Sequence, residues 1–278
     1  MASHLPEYEL YAIRYAERDA RRSDHFIGGD PHDGPMPMDY FVWAAVGAER
    51  SFVIDTGFTA EVAAARGRRH LGCPAEALGL VGLDRNTVAD VILTHMHYDH
   101  VGTFHRFPAA QFHLQQIELH YTTGRYMRYP FLARSFEVED VVGIVRLNFA
   151  RRVRLHNGPV ELTPGISLHP VGGHTPGMQF VRVHTGRGWV VLASDVTHYY
   201  ENMEGPAGLS PQRSTSARCW RRTTHCAPML RPASHHSRAR PAGRAPLPAP
   251  KTGTRRRCRP PRRDAEGVAF SRRVRAPR

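Results

Sequence analysis

Short apolar runs, each closed by Gly, Pro, Asp or Asn, recur through the first two hundred or so positions and alternate with helix-like stretches. That rhythm predicts an α/β or α+β domain. Residues 40–46 and 51–54 are expected to be two strands joined by a Gly-containing turn, ending at Asp55-Thr56-Gly57. The Ala-rich stretch 59–69 is expected to be helical. A further strand at 88–93 runs straight into Thr94-His95-Met96-His97-Tyr98-Asp99-His100. Strands at 153–155 and 160–162 flank an Asn157-Gly158 turn, and a strand at 166–171 leads into Gly172-Gly173-His174-Thr175-Pro176-Gly177. Residues 188–193 form a continuous apolar run, as a buried strand does, and deliver Ser194-Asp195. No internal repeat interrupts the pattern.

Composition changes this picture at one place. The chain has 278 residues, 41% of them hydrophobic, with a formal net charge of +13. Such a charge ordinarily points to nucleic acid or an anionic surface. Residues 1–205, however, hold 19 Arg against 23 acidic residues, while residues 206–278 hold 18 Arg, Lys251 and only Asp264 and Glu266 as acids. Half of the 22 prolines also lie in the second segment. The chain is therefore expected to be a domain over residues 1–204 and an Arg/Pro-rich tail over 205–278. The tail lacks apolar periodicity and is expected to be disordered. No apolar run approaches the roughly 18 residues of a membrane span. The N-terminus lacks a signal-peptide pattern, so a cytoplasmic location is the expectation. Four cysteines suggest no disulfide framework.

The candidate chemistry lies at the strand ends. Three predicted strands terminate in a histidine or an aspartate, where rigid backbone holds the side chain and the following loop leaves it accessible. In His95-Met96-His97 the i, i+2 spacing on extended chain points both imidazoles to one side. Asp99 and His100 lie past a turn and can face a second position nearby. Two cations about 3.5–4 Å apart suit hydrolysis, because together they activate a water and polarise the bond under attack. Lone histidines such as His113, His120, His169 and His184 are read as ordinary surface or core residues. Asp55 is read as a turn former that holds neighbouring backbone N–H groups.

His95-x-His97-x-Asp99-His100, His174 in its GGHTPG turn and Asp195 after an apolar strand together resemble the metallo-β-lactamase superfamily of αββα hydrolases. The stretches YELYAIRYA, FIGGDPHDGPMPMDYFVWA, FVIDTGF, HMHYDH and ASDVTHYYENME are similar to the N-acyl homoserine lactonase group within it. The resemblance implies an αββα sandwich, incomplete at its C-terminal end, and two Zn2+ or other divalent transition metals. His95, His97 and His174 would bind one ion, Asp99 and His100 the other, and Asp195 both. It implies opening of a lactone ring, most simply of an N-acyl homoserine lactone in quorum quenching, by water activated at the metals. Asp99 would serve as the catalytic proton carrier to the leaving oxygen. Lactonases of this kind carry a tyrosine three positions after the bridging aspartate; here that position is His198, followed by Tyr199 and Tyr200. Tyr98, His198 and Tyr199 are the expected substrate contacts, with Phe104 a further aromatic near the site.

The same resemblance calls for another histidine, in a Pro-Gly-His turn some 40 residues after Asp195, and the chain has none. The second metal site is thus expected to be incomplete and activity reduced. Read in shifted frames, residues 217–225 can encode E-M-L-E-A-Y-D-T-L and residues 233–242 can encode H-H-I-I-P-G-H-D-P-L, which suggests an out-of-frame tail. A zinc module built from Cys219, His225, Cys226, His235, His236 and Cys258 matches no finger spacing. The expected partners are a small acyl lactone or ester and, as a homodimer, a second copy of the chain, with no membrane and no nucleic acid despite the basic tail. A thioesterase of the glyoxalase II kind, and a non-catalytic remnant whose tail binds nucleic acid, are the alternatives.

Overall fold

A computed structural model describes residues 5–26 and 32–204, together with the backbone of the two-residue strand Ala233–Ser234. The expected disordered tail, its shifted-frame strings and its zinc module otherwise lie outside the described residues.

The first sheet has seven strands: β1 (Glu9–Arg18), β2 (Met38–Val46), β3 (Ser51–Ile54), β4 (Arg69–His70), β5 (Asp90–Ile92), β6 (Gln111–Gln115) and β7 (Val153–His156). Their order is β4-β1-β2-β3-β5-β6-β7. The second sheet contains β8 (Val160–Thr163), β9 (Ile166–Pro170), β10 (Gln179–Thr185), β11 (Gly188–Ser194) and β12 (Ala233–Ser234), in the order β12-β11-β10-β9-β8. The described helices are α1 (Ala60–Ala65), α2 (Pro74–Ala77), α3 (Tyr98–Val101), α4 (Gln116–Thr122), α5 (Pro130–Ala133), α6 (Val138–Phe149) and α7 (Glu201–Glu204).

Strand β2 shows why the two sheets stack. Its side chains alternate between faces, and both faces are buried. Phe41, Trp43 and Ala45 join Phe52, Ile54, Ile166, Leu168, Val181 and Leu192 in a core between the sheets. Tyr40, Val42 and Ala44 face the other way, into a larger core with Phe58, Leu78, Val101, Leu119 and Ile144 contributed by the helical layer. A third, smaller cluster (Val171, Met178, Phe180, Val191, Ala193 and Val196) continues along the second sheet. The layers α, β and β of the expected sandwich are therefore built by the described residues.

The expected hairpin of β2 and β3 forms, with Trp43 opposite Ile54. The helix expected over 59–69 is shorter. Thr59 caps it by accepting a hydrogen bond from the Val62 N–H, and it ends at Ala65, so that residues 69–70 can pair as β4 with β1. The Asn157-Gly158 turn does not close a hairpin. β7 pairs in parallel with β6, β8 pairs with β9, and the chain crosses at the turn from one sheet to the other, Gly158 supplying a φ of 117°.

Candidate metal centre

Neighbouring strands β3 and β5 run parallel in the first sheet. β9 and β11, both antiparallel to the intervening β10, run parallel to each other in the second. Each of the four is followed by a polar side chain that the fold brings to one place: Asp55, then His95 and His97, then His174, then Asp195. One ligand atom from each of His95, His97, His174 and Asp195 lies within 4.8 Å of the others, and Asp99, His100 and Asp195 form a second such group. Asp195 belongs to both. Its Oδ2 is 3.3 Å from His174 Nε2 and 4.0 Å from His95 Nε2, while its Oδ1 is 3.4 Å from His100 Nε2. His100 Nε2 is also 3.7 Å from Asp99 Oδ2. The six ligand-type residues singled out in the sequence are thus gathered into two adjoining groups.

A divalent cation fits this donor set. Imidazole with carboxylate suits zinc and related transition ions, and His95 Nε2 is buried among these groups without a hydrogen-bond partner, a position a cation would satisfy. Burial, reinforced by the neighbouring imidazoles, holds His95 and His97 well below the usual histidine pKa. They are kept neutral, the form that binds a metal. Around His100 burial opposes the charged form, but the carboxylates of Asp195, Asp55 and Asp99 outweigh it and raise the pKa well above the ordinary value.

Two buried carboxylates outside the ligand set hold these residues in place. Asp55 sits at a φ of 61°, strained for a non-glycine residue. There it accepts hydrogen bonds from the Thr94 N–H at 2.8 Å, from the Thr94 hydroxyl and from His100 Nδ1 at 2.8 Å. A proton fixed on Nδ1 leaves Nε2 of His100 directed at the second group. The expected holding role of Asp55 therefore extends to a histidine ring. Thr94 also bonds Ser194 Oγ at 2.8 Å, tying the ends of β5 and β11 together.

The second carboxylate, Glu118 of α4, was not singled out in the sequence. It accepts from the Met96 N–H at 3.0 Å, between the two histidines of the first motif, and from the Thr175 hydroxyl at 2.7 Å and the Gly177 N–H at 2.9 Å, beside His174. It is a clamp joining the two loops that carry the first ligand group. Gly177 is required there, because a Cβ would come within 2.5 Å of the Glu118 backbone nitrogen. Within its own stretch, Gln116-Ile117-Glu118-Leu119, nothing distinguishes this glutamate from a solvated helix residue; only the fold buries it completely.

A cavity of about 500 Å³ opens onto the centre, with His97, Tyr98, Asp99 and His198 in its wall. His198 Nε2 lies 3.3 Å from Asp195 Oδ2, so the histidine standing at the expected tyrosine position does reach the centre. Tyr98 stacks on Phe58, and its hydroxyl accepts from Arg68 Nε at 3.3 Å. Tyr199, expected at the substrate, is placed differently. It packs into the core, with its hydroxyl donating to the Pro37 carbonyl at 3.1 Å and 3.4 Å from His25 Nε2. Its N–H donates to Asn202 Oδ1 and its ring packs on His25, which directs it away from Asp195. Phe104 packs against Phe112 in the helical-side core rather than lining the cavity.

Among curated proteins the chain is similar to the probable metallo-hydrolase Rv2300c of Mycobacterium tuberculosis, at 26% identity over 178 residues that make up 55% of each chain. It is also similar to the N-acyl homoserine lactonase AiiA of Bacillus thuringiensis subsp. kurstaki, at 27% identity over 141 residues, 49% of this chain and 51% of that one. The chain spans about half the length of the curated relatives it matches. A crystal structure of a quorum-quenching N-acyl homoserine lactone lactonase superposes with a TM-score of 0.70 at 17% identity, covering 84% of this chain and 93% of the other. The dizinc quorum-quenching lactonase AidC superposes with a TM-score of 0.65 at 16% identity, covering 84% and 88%. At such identities the superpositions establish a shared fold. The model of the metallo-beta-lactamase superfamily matches residues 36–255, running past Glu204 into the basic segment. Since that match takes in most of the chain, and the two-sheet core carries its donors where the sequence motif predicted them, this chain belongs to the metallo-beta-lactamase superfamily.

Proposed function

We propose that this protein is a metal-dependent hydrolase that opens lactone rings, with N-acyl homoserine lactones as the substrate class. One observation carries the reading: two groups of buried imidazole and carboxylate ligands share Asp195 and lie against a cavity large enough for a small acyl compound. His95, His97 and His174 would hold one zinc ion, Asp99 and His100 a second, and Asp195 both. The pair would supply Lewis acidity and an activated water. Asp99 lies in both the second ligand group and the cavity wall, so its carboxylate can carry a proton to the departing ring oxygen. His198, in the same wall, can hydrogen-bond the substrate carbonyl in place of a tyrosine. Asp55 and Glu118 keep the imidazoles oriented. The second group is the thinner of the two, with three ligands among the described residues against four in the first. No Pro-Gly-His turn follows Asp195 in the sequence to add another.

The test is a direct comparison of zinc-supplemented protein on N-hexanoyl homoserine lactone and on a glutathione thioester, following acid release with a pH indicator. Lactone opening that is abolished in His97→Ala and reduced at least a hundredfold in Asp99→Asn supports the reading. Faster turnover of the thioester would replace it with the glyoxalase II-like alternative.

A further inference from the structure

The cavity beside the metal centre is lined by four arginines, Arg18, Arg66, Arg68 and Arg134. Arg66 is neutralised by Glu137 at 2.7 Å and lies over the Tyr98 ring. The other three are not. Among the described residues no carboxylate lies within ion-pair distance of Arg18, Arg68 or Arg134. Arg68 Nε donates to the Tyr98 hydroxyl, Arg134 lies over the exposed Phe131 ring, and Arg18 Nε is buried without a hydrogen-bond partner. The acids in the same wall do not balance these cations. Asp99 acts on Arg68 but belongs to the metal-ligand group, which leaves Asp24 as one negative charge against three arginines.

Like charges converging on one concave surface repel each other, and the cavity wall concentrates their field. A pocket for an aliphatic acyl chain would be lined mainly by hydrophobic and aromatic side chains. Here Met38 is the sole aliphatic residue in the wall, and Tyr40 and Tyr98 are its aromatics. Guanidinium groups present fixed forks of donors that match carboxylate or phosphate oxygens.

We propose that this cavity binds an anionic group on the substrate, a carboxylate at the far end of its acyl arm, held by Arg18, Arg68 and Arg134 while the ester bond lies at the metal centre. The inference rests on the lactonase reading for the position of the scissile bond. It alters the substrate class from neutral acyl lactones to acidic ones.

Binding and turnover test it separately. Two non-hydrolysable lactams of matched length, N-succinyl- and N-pentanoyl-3-aminopyrrolidin-2-one, are titrated calorimetrically into the zinc-loaded full chain. The corresponding lactones are then assayed for ring opening. A charge-assisted hydrogen bond supports a preference of about ten- to a hundredfold for the succinyl lactam. That preference should shrink as salt is raised. It should fall several-fold in Arg134→Gln, whose side chain is exposed and not part of the core, and approach unity in Arg68→Gln/Arg134→Gln, with Arg68→Lys retaining part of it. Equal affinity for the two lactams, or a preference that the arginine variants leave intact, overturns the proposal. Selective binding of the succinyl lactam without opening of either lactone would leave the anion pocket standing and remove the lactonase reading. Equal opening of both lactones with equal lactam binding would do the reverse.

Discussion

Glu118 offers the sharpest test of how the centre is held together. Its carboxylate receives two backbone N–H groups and one hydroxyl, all buried, from the loops on either side of His97 and His174. In Glu118→Gln one oxygen remains. Oriented toward Thr175 and Gly177, it preserves those two bonds and presents an NH2 group to the Met96 N–H, so one buried donor is stranded. Such a loss costs about 1–3 kcal/mol. Burial raises the Glu118 pKa, so the wild-type carboxylate itself carries a desolvation penalty that the neutral amide escapes. The net loss should therefore lie near the lower end, about 1 kcal/mol at pH 7. The larger effect should fall on the metal. With the Met96 amide released, His95 and His97 lose their fixed spacing to His174, and substitutions of groups that orient metal ligands typically weaken metal affinity or activity by about 10- to 100-fold. Urea denaturation of the metal-free protein measures the first quantity, and competition with a chromogenic chelator measures the second. Wild-type zinc affinity and turnover in a variant that has lost stability would refute the clamp and leave Glu118 as a core polar anchor.

Asp55→Asn should act on the other ligand group. It keeps the bond from the Thr94 N–H but can no longer fix the proton on His100 Nδ1, so zinc titration should show the weaker of two binding steps fall by about tenfold while the tighter one persists. For the unmodified chain, zinc binding should already resolve into two unequal steps, with zinc at about 100 times the tighter dissociation constant raising stability by about 2.7 kcal/mol and chelation abolishing hydrolysis; two equal steps would contradict the thinner second group. Burial, with Glu137 next to it, raises the Asp140 pKa to about 7. The folded state then binds its proton more tightly than the unfolded state, so this group's contribution to stability is intact below about pH 4 and is lost as pH rises to about 7. Asp140→Asn should consequently stabilise the protein at pH 8 by on the order of 2 kcal/mol and have no such effect at pH 4, measured by thermal denaturation. The shifted-frame reading of residues 205–278 predicts that the gene encodes E-M-L-E-A-Y-D-T-L and H-H-I-I-P-G-H-D-P-L in its alternative frames; stop codons there would eliminate it.

The buried strands β2, β3, β5, β9 and β11 were legible along the chain because each is a short apolar run bounded by turn residues, and such runs have few other uses. The candidate ligands were legible for a related reason. His95, His97, Asp99 and His100 crowd into six positions after such a run, and His174 and Asp195 follow two more, a density of polar groups at strand ends that ordinary packing does not call for. Strand β1 is not legible locally, since Ala12, Arg14, Ala16 and Glu17 interrupt Leu10, Tyr11, Ile13 and Tyr15, and its extended form comes from pairing with β2 on one side and β4 on the other. The role of Glu118, the inward turn of Tyr199 and the convergence of Arg18, Arg68 and Arg134 on one cavity were likewise invisible. Local sequence specifies which face of an element is apolar and where the chain turns. Which charged side chains end up buried, and beside what, depends on contacts between residues as far apart as Glu118 and Gly177 and on bringing Arg18 and Arg134 to one cavity wall, and those distances exist only once the two sheets have closed on their common core.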